Sequence, residues 1–235
     1  MAALASWLFA RSAGGSWLVR IEDLDLPRVV AGCAEEQLRM LSLCGLESDG
    51  PVVRQSERTA IYDRHFARLL DAGRVYACRC SRREIATSAS APHGGEAAYP
   101  GTCREAIVPE SEARAWRFRV DAGVVEFEDA VFGKRGQDVS RDVGDFVVRR
   151  EQPARAYAYQ LAVVVDDAEQ EMTQVVRGAD LLDSTPRQIL LARALELPPV
   201  EYAHVPLLVS ALGEKLSKRA GSRQLAEAAE RGVLA

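Results

Sequence analysis

No apolar run approaches the roughly 18 residues that a membrane-spanning helix needs, and no charged-then-apolar leader ending in a small-residue cleavage site is found. A membrane partner is therefore not expected, and the protein is read as cytoplasmic. A strong excess of one charge is also missing: 30 Lys and Arg stand against 34 Asp and Glu, a formal net charge of −4. That excludes binding nucleic acid through a global positive field, so any RNA contact has to be local. Internal repeats and low-complexity tracts are missing too. Cysteine is scarce and odd in number, five in 235 residues, which does not suit a disulfide framework.

What is present is enough apolar residue, 48%, to bury a sizeable core in one large domain or two small ones. AALASWLFARSAGG has helical apolar spacing and ends at a Gly pair. SWLVRIEDLD reads as a buried strand entering an acidic loop, and VVAGCAEEQLRMLSLCGL as a helix closed by Gly45. SERTAIYDRHFARLLDAG is a second helix with Ser56 as N-cap and Gly73 at its end. Strand and helix in alternation predict an α/β domain with a mainly parallel sheet. From about residue 76 to 103 the chain turns Cys-, Ser-, Gly- and Pro-rich, which predicts an insertion held by something other than a core. RAWRFRV and VVEFEDAVFG alternate like antiparallel strands, DFVVRR is a further β segment, and YAYQLAVVVDDAEQ is a buried helix or strand. EMTQVVRGADLL is a strand entering a loop, and STPRQILLARALEL a helix capped by Ser184 or Thr185. EYAHVPLL reads as a strand, followed by a Gly-Lys loop and a last helix. These shifts divide the chain into residues 1–75, a zinc-binding and β-rich insertion at 76–143, and 144–235.

Four constellations carry chemistry. Lys215, Ser217 and Lys218 lie in KLSKR, where two lysines three apart in a loop can grip a polyphosphate; alone, such a pentapeptide is more often a solvated basic turn. In RIEDLDLPR, the carboxylates Glu22, Asp23 and Asp25 follow a strand, at the end where α/β sheets place ligands, or else cap the next helix. Arg177 stands in VVRGAD at the end of a strand, suited to a two-pronged pair with a substrate carboxylate or to a salt bridge with a neighbouring aspartate. Tyr159 precedes it in the same region. Cys78, Cys80, Cys103 and Tyr99 offer three sulfurs and a phenol oxygen for a tetrahedral zinc site, with His93 as a competing ligand. Cys33 and Cys44 are read as ordinary buried thiols; His204 could touch the nucleotide but in an apolar strand is more often structural; and the arginines of DFVVRREQPAR could meet tRNA phosphates but are assigned no site, as scattered surface charges.

HVPLLVSALGEKLSKR, RIEDLDLPR and AYQLAVVVDDAEQEMTQVVRGADLL, in that spacing, resemble the glutamyl branch of the class I aminoacyl-tRNA synthetases, and the likeness spans residue 20 to residue 219. The resemblance implies a Rossmann-type catalytic domain with a small zinc-binding insertion. It implies that Lys215 and Lys218 stabilise the transition state of adenylate formation and, with Ser217, hold ATP, which enters with Mg2+. It implies that Glu22 meets the α-ammonium of L-glutamate, with Tyr159 and Arg177 completing the amino-acid site. Arginine at position 177 marks the glutamate-selecting enzymes, whereas the glutamine-specific relatives lack it.

YACRC followed by YPGTCR looks like the zinc insertion of the glutamyl-Q group, in which the tyrosine is itself a ligand, making His93 a bystander. The compact insertion and the overall length also resemble that group. The resemblance then implies glutamate activation without tRNA and transfer to queuosine in tRNA(Asp), by a monomer. Its alternatives are a catalytic fragment of a discriminating glutamyl-tRNA synthetase and a non-catalytic remnant binding glutamate or tRNA. The family opens with a strand, an arginine-bearing Pro/Ser turn and a HIGH-type motif, whereas residue 1 matches a later helix. The first strand is thus expected to be absent, and the reading frame to extend upstream.

Overall fold

The computed structural model describes residues 1–25, 29–81, 83–85, 98–152 and 154–207. Helix α1 (Ala2–Ser12) stops where Gly14 takes a left-handed φ of 65°. Strand β1 (Arg20–Ile21), helix α2 (Cys33–Leu43) and strand β2 (Val53–Arg54) form a βαβ unit in which β1 and β2 pair in parallel. The expected strand SWLVRIEDLD is thus only two residues of ladder. No residue of α2 is buried, and Cys33 and Cys44, at its two ends, are both exposed, contrary to their reading as buried thiols.

Helix α3 (Thr59–Asp71) buries Tyr62, His65, Phe66 and Leu69, the i, i+3, i+4, i+7 stripe of an amphipathic helix. Ser56 does not cap it. Ser56 lies in a short 3-10 turn, where its backbone N–H and hydroxyl both donate to the Asp23 carboxylate, at 2.8 Å each. A residue three places before the helix that finds a long-range acceptor has no reason to turn back onto it.

Strands β3 (Val75–Cys78) and β4 (Ala115–Phe118) are followed by β5 (Val124–Asp129), β6 (Gly133–Asp138), the short helix α4 (Val139–Asp142), β7 (Val147–Arg150) and β8 (Ala156–Tyr157). Then come α5 (Tyr159–Glu169), β9 (Gln174–Gly178), a 3-10 segment (Ala179–Ser184), α6 (Thr185–Ala194) and β10 (Glu201–Val205). Two four-stranded sheets result. One, in the order β3-β4-β7-β8, is antiparallel throughout. The other, in the order β6-β5-β10-β9, pairs β10 in parallel with both β9 and β5, while β6 runs antiparallel at its edge. The alternating strands β4 and β5 therefore lie in different sheets, and β9, α6 and β10 make a second βαβ unit.

Helix α5 sits at the centre. Its six consecutive residues Leu161 to Asp166 are all buried, packed with Tyr62, Phe66, Trp116, Phe118, Val148, Leu191 and Leu195 in one core cluster. Arg149 is buried too: its guanidinium lies 3.9 Å from the Phe66 ring centroid and its Nε donates to Glu151 at 2.7 Å. The arginines of that segment are therefore not all surface charges. A flat guanidinium can join an aromatic core when a carboxylate meets its edge.

Candidate functional site

The parallel register of β9 and β10 sets Arg177 opposite His204, so both side chains leave the same face of the sheet near the carboxyl ends of their strands. Asp129, the last residue of the next parallel strand, reaches the same point. His204 Nδ1 lies 2.6 Å from Asp129 Oδ2, and Arg177 Nε lies 3.0 Å from His204 Nε2. An arginine nitrogen always donates, so Nε2 is the bare nitrogen and Nδ1 carries the hydrogen given to Asp129. Burial, joined by the Arg177 charge, lowers the His204 pKa below the ordinary histidine value although Asp129 raises it, which favours that neutral ring. Burial pushes the Asp129 carboxyl up, but hydrogen bonds from His204 and from the N–H groups of Phe132 and Val131 outweigh it and hold the group below its usual range.

The Arg177 side chain is buried and its remaining nitrogens are also engaged. NH2 donates to Thr185 Oγ1 at 2.8 Å and to the Leu181 carbonyl at 3.4 Å, and NH1 to the Tyr159 hydroxyl at 3.3 Å. Every one of these acceptors is uncharged, and Arg177 forms no salt bridge among the described residues. Tyr159 and Thr185 are the first residues of α5 and α6, so two helix N-termini converge on the guanidinium. Burial raises the Tyr159 phenol pKa, Arg177 pulls it down and the Glu22 charge pushes it up. Glu22 follows β1, is exposed, and stands 3.9 Å from Arg20. The structure thus brings Glu22, Tyr159 and Arg177 into one electrostatic field. Asp23, by contrast, is committed to Ser56. Lys215, Ser217 and Lys218 lie outside the described residues, as does His93.

The second cluster lies at the end of β3. The sulfurs of Cys78, Cys80 and Cys103 are all within 4.8 Å of one another. The Tyr99 hydroxyl lies 3.5 Å from Cys78 Sγ and 3.8 Å from Cys80 Sγ, and Cys80 and Cys103 are 3.4 Å apart. Sulfurs around one tetrahedral zinc stand about 3.8 Å apart, given Zn–S bonds of about 2.3 Å, so the donor set fits such an ion. Burial pushes the Cys80 thiol up to about 11 and the Tyr99 phenol up as well. These groups keep their protons near neutrality unless a cation displaces them. A fixed positive charge is already in place: Arg117 Nε donates to Cys78 Sγ at 3.3 Å, and its guanidinium lies 3.7 Å from the Tyr99 ring centroid.

Sequence reasoning missed Asp129, Thr185 and Arg117. Asp129 ends the alternating run VVEFED, where it reads as one more acidic residue. In STPRQILL, Thr185 reads only as a helix cap. Arg117 sits in RAWRFRV, where nothing distinguishes it from its neighbours.

The chain belongs to the family described as class I tRNA synthetases (E and Q), catalytic domain, whose model matches residues 1–233. It is similar to the glutamyl-Q tRNA(Asp) synthetase of Geobacter sulfurreducens, 52% identical over 228 residues, 96% of this chain and 72% of the relative. The Dechloromonas aromatica protein of the same name is 52% identical over 226 residues, 96% of this chain and 74% of the relative. Among solved structures, a glutamate tRNA ligase from Elizabethkingia meningosepticum, in complex with its amino acid, superposes with a TM-score of 0.78 at 28% identity. That match covers 94% of this chain, which spans about half, 49%, of the ligase. The fold is therefore the α/β catalytic domain of a class I synthetase.

Proposed function

We propose that the chain activates L-glutamate with ATP to glutamyl-adenylate and passes the glutamyl group, with release of AMP, to queuosine in the anticodon loop of tRNA(Asp). The observation that carries the glutamate half is Arg177, a buried cation whose protein partners are all neutral. A buried charge with no carboxylate in hydrogen-bond contact is costly, and an anionic ligand lowers the cost. With Nε and NH2 committed to the protein, NH1 and the Tyr159 hydroxyl are the groups that meet the side-chain carboxylate of glutamate. An amide in its place leaves the charge unanswered, which selects against glutamine. Glu22 then receives the α-ammonium.

An oxygen of the α-carboxylate attacks the α-phosphorus of ATP, the bond to the β-phosphate oxygen breaks, and pyrophosphate leaves with Mg2+ neutralising its charge. Lys215 and Lys218 hold the phosphates in that step, with Ser217 beside them. The acceptor assignment rests on the name shared by the curated relatives. Zinc, held by Cys78, Cys80, Tyr99 and Cys103, orders the insertion and takes no part in the reaction. The enzyme works in the cytoplasm as a monomer.

Glutamate-dependent ATP–pyrophosphate exchange by the protein purified from its full reading frame tests activation, and transfer of radiolabelled glutamate tests the acceptor. Label should enter tRNA(Asp) containing queuosine and not tRNA(Asp) lacking it. Absence of exchange overturns the activation assignment. Equal labelling of tRNA(Glu) overturns the acceptor.

A further inference from the structure

We propose that Asp129 and His204 are positioning residues for Arg177, and that His204 does this as the neutral Nδ1–H tautomer, passing the orientation set by Asp129 to the guanidinium. The inference rests on Arg177 being the glutamate-reading residue. An arginine side chain has long rotatable stems, and a receptor for one carboxylate oxygen pair works only if the guanidinium plane is fixed before the ligand arrives.

The fixing is a chain of three links. Asp129 is held by four hydrogen bonds from the protein: the N–H groups of Val131 at 3.0 Å, Phe132 at 2.9 Å and His204 at 3.1 Å, and the His204 ring at 2.6 Å. Its carboxylate cannot rotate away without losing most of them. The His204 ring is completely buried and stacks at 16° on Tyr202, two residues earlier on β10. Its remaining nitrogen accepts from Arg177 Nε at 3.0 Å, and Thr185 Oγ1, 3.3 Å from that nitrogen, also takes an Arg177 NH2 hydrogen at 2.8 Å. Two edges of the guanidinium are thereby locked, and NH1 is turned toward Tyr159.

A histidine in this place does something that a carboxylate would not. Asp129 in direct contact with Arg177 would neutralise it and compete with the substrate. The neutral imidazole holds the two opposite charges apart while coupling their orientations, so the guanidinium is fixed yet keeps its charge for the ligand. Asp129 from β5, Arg177 from β9, Asp180 after β9, Thr185 from α6 and Tyr202 along β10 are the groups that face the ring. Protonation at Nε2 would set two donors against each other, and the arrangement would open.

Two substitutions separate the links. His204→Gln can still present an acceptor where Nε2 stands, whereas His204→Asn places its amide where Nδ1 stands, near Asp129, and leaves Arg177 Nε unpaired. In calorimetric titrations we expect His204→Asn to weaken L-glutamate binding at least tenfold and ATP binding less than threefold, and His204→Gln, which keeps an acceptor for Arg177 but loses the link to Asp129, to weaken glutamate binding measurably but less than His204→Asn. Glutamate affinity unchanged in His204→Asn overturns the inference while leaving Arg177's assignment intact. Wild-type protein that binds no glutamate overturns both. A second measurement needs no variant to fold well: 15N spectra of histidine-labelled wild type should show His204 protonated at Nδ1 and bare at Nε2 at neutral pH. Protonation at Nε2 overturns the inference whatever the variants do.

Discussion

At the scale of single residues, the site is governed by who answers each charge. Arg177→Ala should weaken glutamate binding by about 2–5 kcal/mol, the cost of stranding one partner of a desolvated charge pair, and ATP binding far less. Equal losses for the two ligands in calorimetry would show that Arg177 is a fold residue. Arg177 and Tyr159 could be named from sequence because both sit in a recognisable string. Asp129 could not, since its meaning comes from β5 pairing with β10, a contact between residues 75 positions apart. His204 was visible as a residue and invisible as a link, because the tautomer is fixed by partners on three other elements. The same cluster gives a pH dependence whose sign is fixed. In the folded state His204 titrates below its ordinary value, so as the pH falls below about 6.5 the unfolded chain takes up a proton that the folded ring refuses, and stability drops. Asp129, also lowered, adds a loss in the same direction at still lower pH. Urea titrations should show stability falling between pH 7 and pH 5 by up to about 1.4 kcal/mol per pH unit for this one group. In His204→Gln that part of the slope should be missing, and an unchanged slope would assign the acid sensitivity elsewhere.

At the scale of elements, local punctuation was legible and pairing was not. The glycines that end α1, α2 and α3 take φ values of 65°, 69° and 65°, as chain-reversing residues after a helix do. α5 stayed ambiguous between helix and strand because its middle is buried on every side, and a run without a polar face has no period to read. The strand expected over SWLVRIEDLD shrank to Arg20 and Ile21, since a ladder is only as long as the partner that faces it. Around β3 the ordering principle is different. Tyr76, Cys78, Tyr99 and Cys103 form a small buried cluster apart from the main core, too little apolar surface to hold a loop by itself. We expect one zinc per chain, and Cys103→Ser to lose it with faster hydrogen exchange from Val75 to Cys80, while α6 and β10 keep their protection. Full zinc retention in Cys103→Ser, measured by atomic absorption, would remove this cysteine from the ligand set.

At the scale of the whole molecule, the proposed glutamate site is split between two bodies of secondary structure. Glu22 belongs to the β1–α2–β2 unit, whereas Arg177 and Tyr159 belong to β9 and α5, so the distance between them depends on how the two halves are fastened. Part of the fastening is a buried polar network. Asp166, fully buried on α5, accepts from Gln55 Nε2 at 2.8 Å, Arg58 Nε at 2.6 Å and the Tyr62 hydroxyl at 2.8 Å, all just beyond β2. Arg20 of β1 reaches the same helix through Asp167 at 2.9 Å and Gln170 at 3.0 Å, with Asp166 at 3.7 Å. Asp166→Ala leaves Arg58 stranded beside a cavity, and the loss of one partner from such a buried pair costs about 3–5 kcal/mol. Asp166→Asn keeps the volume and some of the hydrogen bonds, so it should cost less. The informative readout is where the damage appears. If Asp166 fastens the halves, Asp166→Asn should speed hydrogen exchange in β1, β2 and the start of α3 well before β9 and β10 respond, and glutamate affinity should fall although Asp166 lies outside the Arg177 cluster. Loss spread evenly over every strand, with glutamate affinity unaltered in the fraction still folded, would mean that Asp166 serves general stability and that something else sets the separation of Glu22 from Arg177.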